Sequence, residues 1–144
     1  MLDREVLRTM GSSFEIRLGN AAGIPVLRFC GKVTTTTIKA LDGYLRRLAD
    51  AGHFEVVLNM ERAEVGDWRC LSALAGTVES IKSHYGSVNL VATQDKVSEA
   101  LGMELLNALF KICRTESEAI SRIKRLLRHP GAITETNARL LEPR

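Results

Sequence analysis

"ERAEVGDWRCLSALAG", residues 61–76, runs from the end of an apolar strand into a helix that opens after Asp67. Just upstream, "FEVVLNM" is a short, nearly continuous apolar run, as expected for a strand covered on both faces. Downstream, Leu71, Leu74, Ala75, Val78 and Ile81 recur at helical spacing and predict one buried stripe, with Asp67 as its cap and Gly86 as its stop. Strand, turn and helix in this order form part of a βαβ crossover. Trp68 and Arg69 stand out because they occupy first-turn positions that normally carry small or acidic residues.

The same pattern extends in both directions. "FEIRL" alternates, with Phe14, Ile16 and Leu18 to one side and Glu15 and Arg17 to the other, which predicts a half-buried strand. After the turn "GNAAG", "IPVLRFCG" predicts a second strand paired with the first as a hairpin. Thr34 to Thr37 offer hydroxyl caps for a helix that buries Ile38, Leu41, Leu45 and Leu48, turns Asp42, Arg46 and Asp50 to water, and stops at Gly52. "VNLVA" predicts another buried strand, Asp95 caps a short helix carrying Val97, Ala100 and Leu101, and "LFKIC" predicts the last strand. Thr115 and Glu118 have capping-box spacing before a helix that buries Ile120, Ile123, Leu126 and Leu127 and ends at Pro130. The alternation predicts an α/β fold: a mixed, mostly parallel sheet with an N-terminal antiparallel hairpin and about four helices. Residues 1–11 read as an N-terminal extension, 12–129 as one domain, and 130–144 as a tail without a pattern, for which disorder stays open.

A chain of 144 residues can build one core without staples. Its net charge of +3 is too mild to indicate nucleic acid. No apolar run is long enough for membrane insertion, and the start does not read as a signal peptide. Cys30, Cys70 and Cys113 are odd in number and form no CxxC pair, which points to free thiols in a reducing compartment, the cytoplasm by default. No phosphate-binding glycine loop or nucleophile elbow is present. His53, His84 and His129 are scattered and read as surface residues, with no metal or cofactor implied. Glu61 and Glu64 could work as paired carboxylates but read as solvated.

Four segments together resemble the STAS family, named for sulphate transporters and anti-sigma factor antagonists: "VLRFCGKVTTTTIKAL", "HFEVVLNMERAEVGDWRCLSAL", "VNLVATQDKVSEAL" and "LFKICRTESEAI". The likeness runs from about Phe14 to Leu127 and rests on the order and spacing of the segments. It implies a bacterial, non-catalytic module that binds proteins, commonly an anti-sigma factor that is also a serine kinase and that is released on phosphorylation. The alternative it implies is a cytoplasmic subunit of a membrane lipid or anion transporter. Homodimerisation stays open. The usual signature is Asp-Ser-Ser/Thr-Gly-Leu, with the phosphoacceptor directly after the Asp. The matching residues here are Asp67, Trp68, Arg69, Cys70 and Leu71, so the phosphoacceptor position is Trp68, and a frequent Asp is replaced by Thr34. The ordinary switch is therefore expected to be absent.

On that resemblance, Asp67, Trp68, Arg69, Thr34 and Thr35 are the candidate partner-binding residues, with Trp68 pointing away from the sheet as an anchor and Arg69 beside it to pair with an acidic group of the partner. The competing reading has the indole folding over the threonine loop to close the core edge. Ser72 and Thr36 are alternative phosphoacceptors, against helix capping for the threonines. Cys70, in a first helical turn beside an arginine, is a candidate reactive thiol, against a small residue filling a tight spot. Arg122, Lys124, Arg125 and Arg128 cluster towards a helix C-terminus, where the dipole favours positive charge.

Overall fold

The computed structural model describes residues 5–8, 14–92 and 103–128. These form β1 (Glu5–Arg8), β2 (Phe14–Ala21), β3 (Ile24–Lys32), α1 (Thr35–Asp50), β4 (Glu55–Glu64), a 3-10 helix (Trp68–Leu74), α2 (Ala75–Ser83), β5 (Ser87–Val91), α3 (Met103–Leu109), β6 (Lys111–Cys113) and α4 (Glu116–Arg128). One six-stranded sheet takes the order β1-β2-β3-β4-β5-β6. β2 and β3 form the expected antiparallel hairpin, with Ile16 opposite Phe29. From β3 to β6 every pairing is parallel. β1, drawn from the stretch read as an extension, adds antiparallel to β2.

Alternation along the strands divides the interior in two. Val56, Leu58 and Met60 of β4 face the larger core, which α1, the 3-10 helix, α2 and α3 cover. Val57 faces the smaller one, where Ala119 and Ile123 of α4 pack on Ile24, Val26, Val91 and Cys113. Burying each such aliphatic side chain contributes about 1.5–3 kcal/mol before chain entropy is set against it. The α1 stripe is as expected for Ile38, Leu41 and Leu45. Gly52 adopts φ 91° just past the C-cap, the left-handed conformation that ends helices. Asp42 departs from the expectation of a water-facing residue: its carboxylate accepts the Thr77 hydroxyl at 2.6 Å and ties α1 to α2.

Three boundaries also differ from the sequence reading. The helix after Asp67 begins as a 3-10 segment and becomes α-helical only at Ala75. The left-handed residue that closes α2 is Tyr85, at φ 65°, while Gly86 meets a different demand, close approach to Phe54. In "LFKIC" Leu109 still belongs to α3 and the Phe110 amide donates to the Leu106 carbonyl, so the strand is only Lys111–Cys113. The helix predicted around Asp95, His129 and the tail from Pro130 lie outside the described residues.

α4 is tied to the sheet by a charged clamp. Arg28 donates through Nε and Nη2 to the Glu116 carboxylate at 2.7 and 2.8 Å, and Asn59 Nδ2 donates to the same carboxylate at 2.6 Å. The Arg28 hydrogen bonds hold the Glu116 carboxyl below its ordinary value, against partial burial. Between that lowered value and 4.5 the unfolded chain binds more protons than the folded one, so the clamp's contribution is complete above 4.5 and fades as pH falls. Glu55, pushed up by burial, has the opposite slope above 4.5, so wild type must be compared with a variant. Because Arg28 is 43% exposed, screening limits the effect. Glu116→Gln is expected to cost about 1 kcal/mol at neutral pH and progressively less as pH falls below 4.5, measured by urea unfolding across pH.

Candidate functional site

The two segments singled out in the sequence meet at one end of the sheet. Parallel pairing sets Lys32 beside Glu64, and the Val33 amide donates to the Glu64 carbonyl at 3.0 Å, so β3 and β4 deliver their following turns side by side. After β3, Thr34 caps α1 in a reciprocal box. The Thr37 amide donates to Thr34 Oγ1 at 3.2 Å, and the Thr34 amide donates to Thr37 Oγ1 at 2.7 Å. Thr37 is buried, whereas Thr34, Thr35 and Thr36 are exposed. The capping role read from the sequence is thus filled by Thr34 and Thr37, which leaves Thr35 and Thr36 on the surface.

After β4, Asp67 caps the 3-10 helix. Its Oδ1 accepts the Arg69 amide at 2.9 Å, and Arg69 Nη2 donates to Oδ2 at 2.8 Å. The Arg69 side chain, then its backbone N–H, hold the Asp67 carboxyl below the usual carboxylate range. The arginine read as a free partner for an incoming acid is thus already folded onto its own neighbour. The pair is exposed and forms the charged tip of the turn.

Trp68 corrects the expectation that it points away from the sheet. It is only 6% exposed and belongs to the larger core together with Ile38, Leu71 and Leu74. A 3-10 helix eclipses residues three apart, so Trp68, Leu71 and Leu74 share one inward edge. The indole therefore extends the buried stripe by one step and cannot serve as an exposed anchor. Cys70 is corrected as well. Partial burial, then the nearby Asp67 charge, push its thiol above its ordinary value, opposite to what reactivity requires. Ser72 is exposed next to this turn.

The other chemical candidates have local duties. Among the described residues no group of three or more His, Cys, Asp or Glu side chains could hold a metal ion. His84 stacks on Phe54 with centroids 4.4 Å apart, and its Nδ1 lies 3.0 Å from the Ser80 carbonyl. Glu61 receives the Asn59 amide group and donates its backbone N–H to Asn59 Oδ1. Thr115 and Glu118 cap α4 as expected, the Glu118 amide donating to Thr115 Oγ1 at 3.0 Å, although Glu118 reaches back to the Arg114 amide. Sequence reasoning missed the Arg28–Glu116–Asn59 clamp. Its signal was one arginine inside the apolar run "IPVLRFC".

The layered α/β architecture and this capped turn define the class, and comparison with known proteins agrees. The STAS domain family model matches residues 15–119. The chain belongs to the STAS domain family. Among solved structures, an anti-sigma factor antagonist from Mycobacterium paratuberculosis superposes with a TM-score of 0.66 at 19% identity, covering 81% of this chain and 99% of that one. The anti-sigma factor antagonist SpoIIAA in its unphosphorylated form gives 0.55 at 14% identity, covering 84% and 97%. The Bacillus cell fate determinant SpoIIAA in its phosphorylated form gives 0.53 at 15% identity, covering 83% and 98%. No curated protein sequence matches the chain significantly. Among the described residues no helix is long and apolar enough to cross a membrane.

Proposed function

We propose that this chain is a non-catalytic, cytoplasmic protein-binding module of the anti-sigma factor antagonist type, working in a bacterial partner-switching circuit without a phosphoacceptor at the usual place. The observation that carries the reading is the exposed tip made by Asp67 and Arg69 beside Thr34 and Thr35, at the turn that follows the central strand. At the position after Asp67, where the family pattern sets a hydroxyl, the buried Trp68 has none to offer a kinase. The contact surface is then Asp67, Arg69, Thr34 and Thr35 over a tryptophan-braced turn, with exposed Ser72 and Thr36 as the hydroxyls left for modification.

The partner chemistry that fits is an anti-sigma factor of the serine-kinase kind. Arg69→Glu puts like charge beside Asp67 and reverses the tip while leaving the core untouched. It is expected to weaken such a partner at least about tenfold, as loss of a charged contact does. The check is affinity capture from bacterial lysate with wild type and variant, with the retained proteins identified by mass. A kinase-type sigma regulator bound by wild type and lost from the variant supports the reading. Retention of a permease and its ATPase by both turns the assignment to a transporter subunit.

A further inference from the structure

The α4 face of the sheet carries a second feature, independent of the partner-binding reading. α4 packs over β4 to β6, and beside it a 430 Å³ cavity opens over β2, β3 and β4. Its polar residues form two rows across the strands. Arg17, Arg28 and Asn59 are register partners in one row, and Glu15, Cys30 and Arg62 in the next. Arg62 reaches this face through an irregularity. From Arg28 to Cys30 the partner strand advances from Asn59 to Arg62, one residue more than β3 does. That bulge returns Ala63 to the larger core and turns Arg62 towards the cavity together with Glu61. Bulges concentrate where a side chain is re-aimed at a site.

The charges are arranged at a cost. Arg17 and Arg28 stand directly opposite each other across an antiparallel pair, which is unfavourable for like charges. Internal pairing uses the acceptors first. Glu116 is taken by Arg28 and Asn59, Glu15 receives Arg17 Nε at 3.0 Å, and Glu61 is engaged by Asn59. No hydrogen bond or ion pair joins Arg62 to any described residue, Arg17 is 51% exposed, and neither terminal nitrogen of its fork is bonded to a described residue. Gly19 leaves the space in which Arg28 Nη1 lies, because a Cβ there would stand 2.7 Å from that nitrogen. What remains towards the cavity is a surplus of guanidinium N–H donors, the group that recognises planar or tetrahedral oxyanions through paired hydrogen bonds.

We infer that the cavity framed by Arg17, Arg28 and Arg62 is a binding site for a small multivalent oxyanion, a phosphate- or polycarboxylate-bearing ligand. The probes are pyrophosphate and citrate, titrated into the full chain at constant ionic strength while backbone amide shifts are followed. Saturable shifts centred on Arg17, Arg28, Asn59 and Arg62 are expected. Arg62→Ala and Arg17→Ala should each weaken them about tenfold, and Lys124→Ala on α4 should not. Saturation by either anion supports the site, and the tighter of the two names its chemistry. Shifts that grow linearly without saturating, shifts centred on Lys124 and Arg125, or an Arg62→Ala protein that binds as wild type overturn it. Both arginines are outside the cores, so dispersed amide spectra should confirm that the variants fold.

Discussion

Trp68→Ser, which restores a hydroxyl residue after Asp67, is expected to unfold the domain more readily rather than recreate a phosphorylation site. The side chain is the sole tryptophan, 6% exposed, and stands where the 3-10 helix meets α1. Truncating a buried indole removes its transfer energy and leaves a cavity that neighbours fill only in part, about 3–5 kcal/mol. For a domain stable by about 5–15 kcal/mol, that is a large share of the total. Urea unfolding followed by circular dichroism measures it, since the variant has no tryptophan to report by fluorescence. Trp68→Phe should recover roughly half of the loss. A Trp68→Ser midpoint within about 0.5 kcal/mol of wild type would contradict burial of the indole, and with it the account of the turn.

Gly86→Ala is expected to be nearly as damaging, although it adds only a methyl group. The Gly86 amide donates to the Ile81 carbonyl at 3.1 Å as α2 ends, and the next amide, Ser87, donates to the Phe54 carbonyl at 2.8 Å as β5 begins beside β4. A Cβ on residue 86 would overlap that same Phe54 carbonyl oxygen, which is backbone and cannot rotate away. Either the first β4–β5 pairing or the α2 terminus must shift, at about 3 kcal/mol, the upper end of overpacking costs. Gly76→Ala is the control. It lies in α2 with open space around its Cβ position, so the substitution should stabilise by about 0.5–1 kcal/mol. Thermal unfolding of the two variants should move in opposite directions from wild type.

The elements that were legible in the sequence are those whose signal is local. Phe14 and Ile16 alternate with Glu15 and Arg17 whatever lies beyond them, and Ile38, Leu41 and Leu45 mark a helix face by spacing alone. Trp68 was within reach of the same rule, since the interval of three between Leu74 and Leu71, taken one step further back, lands on it. What obscured it was the expectation of an α-helical first turn, which frees side chains that a 3-10 helix aligns. The ion pair of Asp67 and Arg69 is likewise local, two residues apart, and competes with any external acid for the arginine. Two other features required the folded chain. Asp42 finds Thr77 only because α1 and α2 lie side by side, and Arg28 finds Glu116 only because α4 returns across the sheet. Arg62 joins Arg17 and Arg28 on one face only through a bulge in β4 that no periodicity in "VVLNMERAE" announces.

Because the strands lie in the order in which they occur in the chain, the sheet can grow as the polypeptide leaves the ribosome, each strand adding to the edge formed before it. The last helix reverses this direction, when Glu116 reaches back 88 residues to Arg28, a closure that carries a large loop entropy. Until β5 arrives, β4 is the growing margin, with Val56, Val57 and Leu58 apolar on both faces and its backbone groups unpaired on one side. The nascent chain therefore exposes this apolar margin in the interval between the synthesis of Met60 and that of Val91. The exposed tip at Asp67 is made within that interval, so the proposed contact surface is complete in sequence before the sheet that supports it.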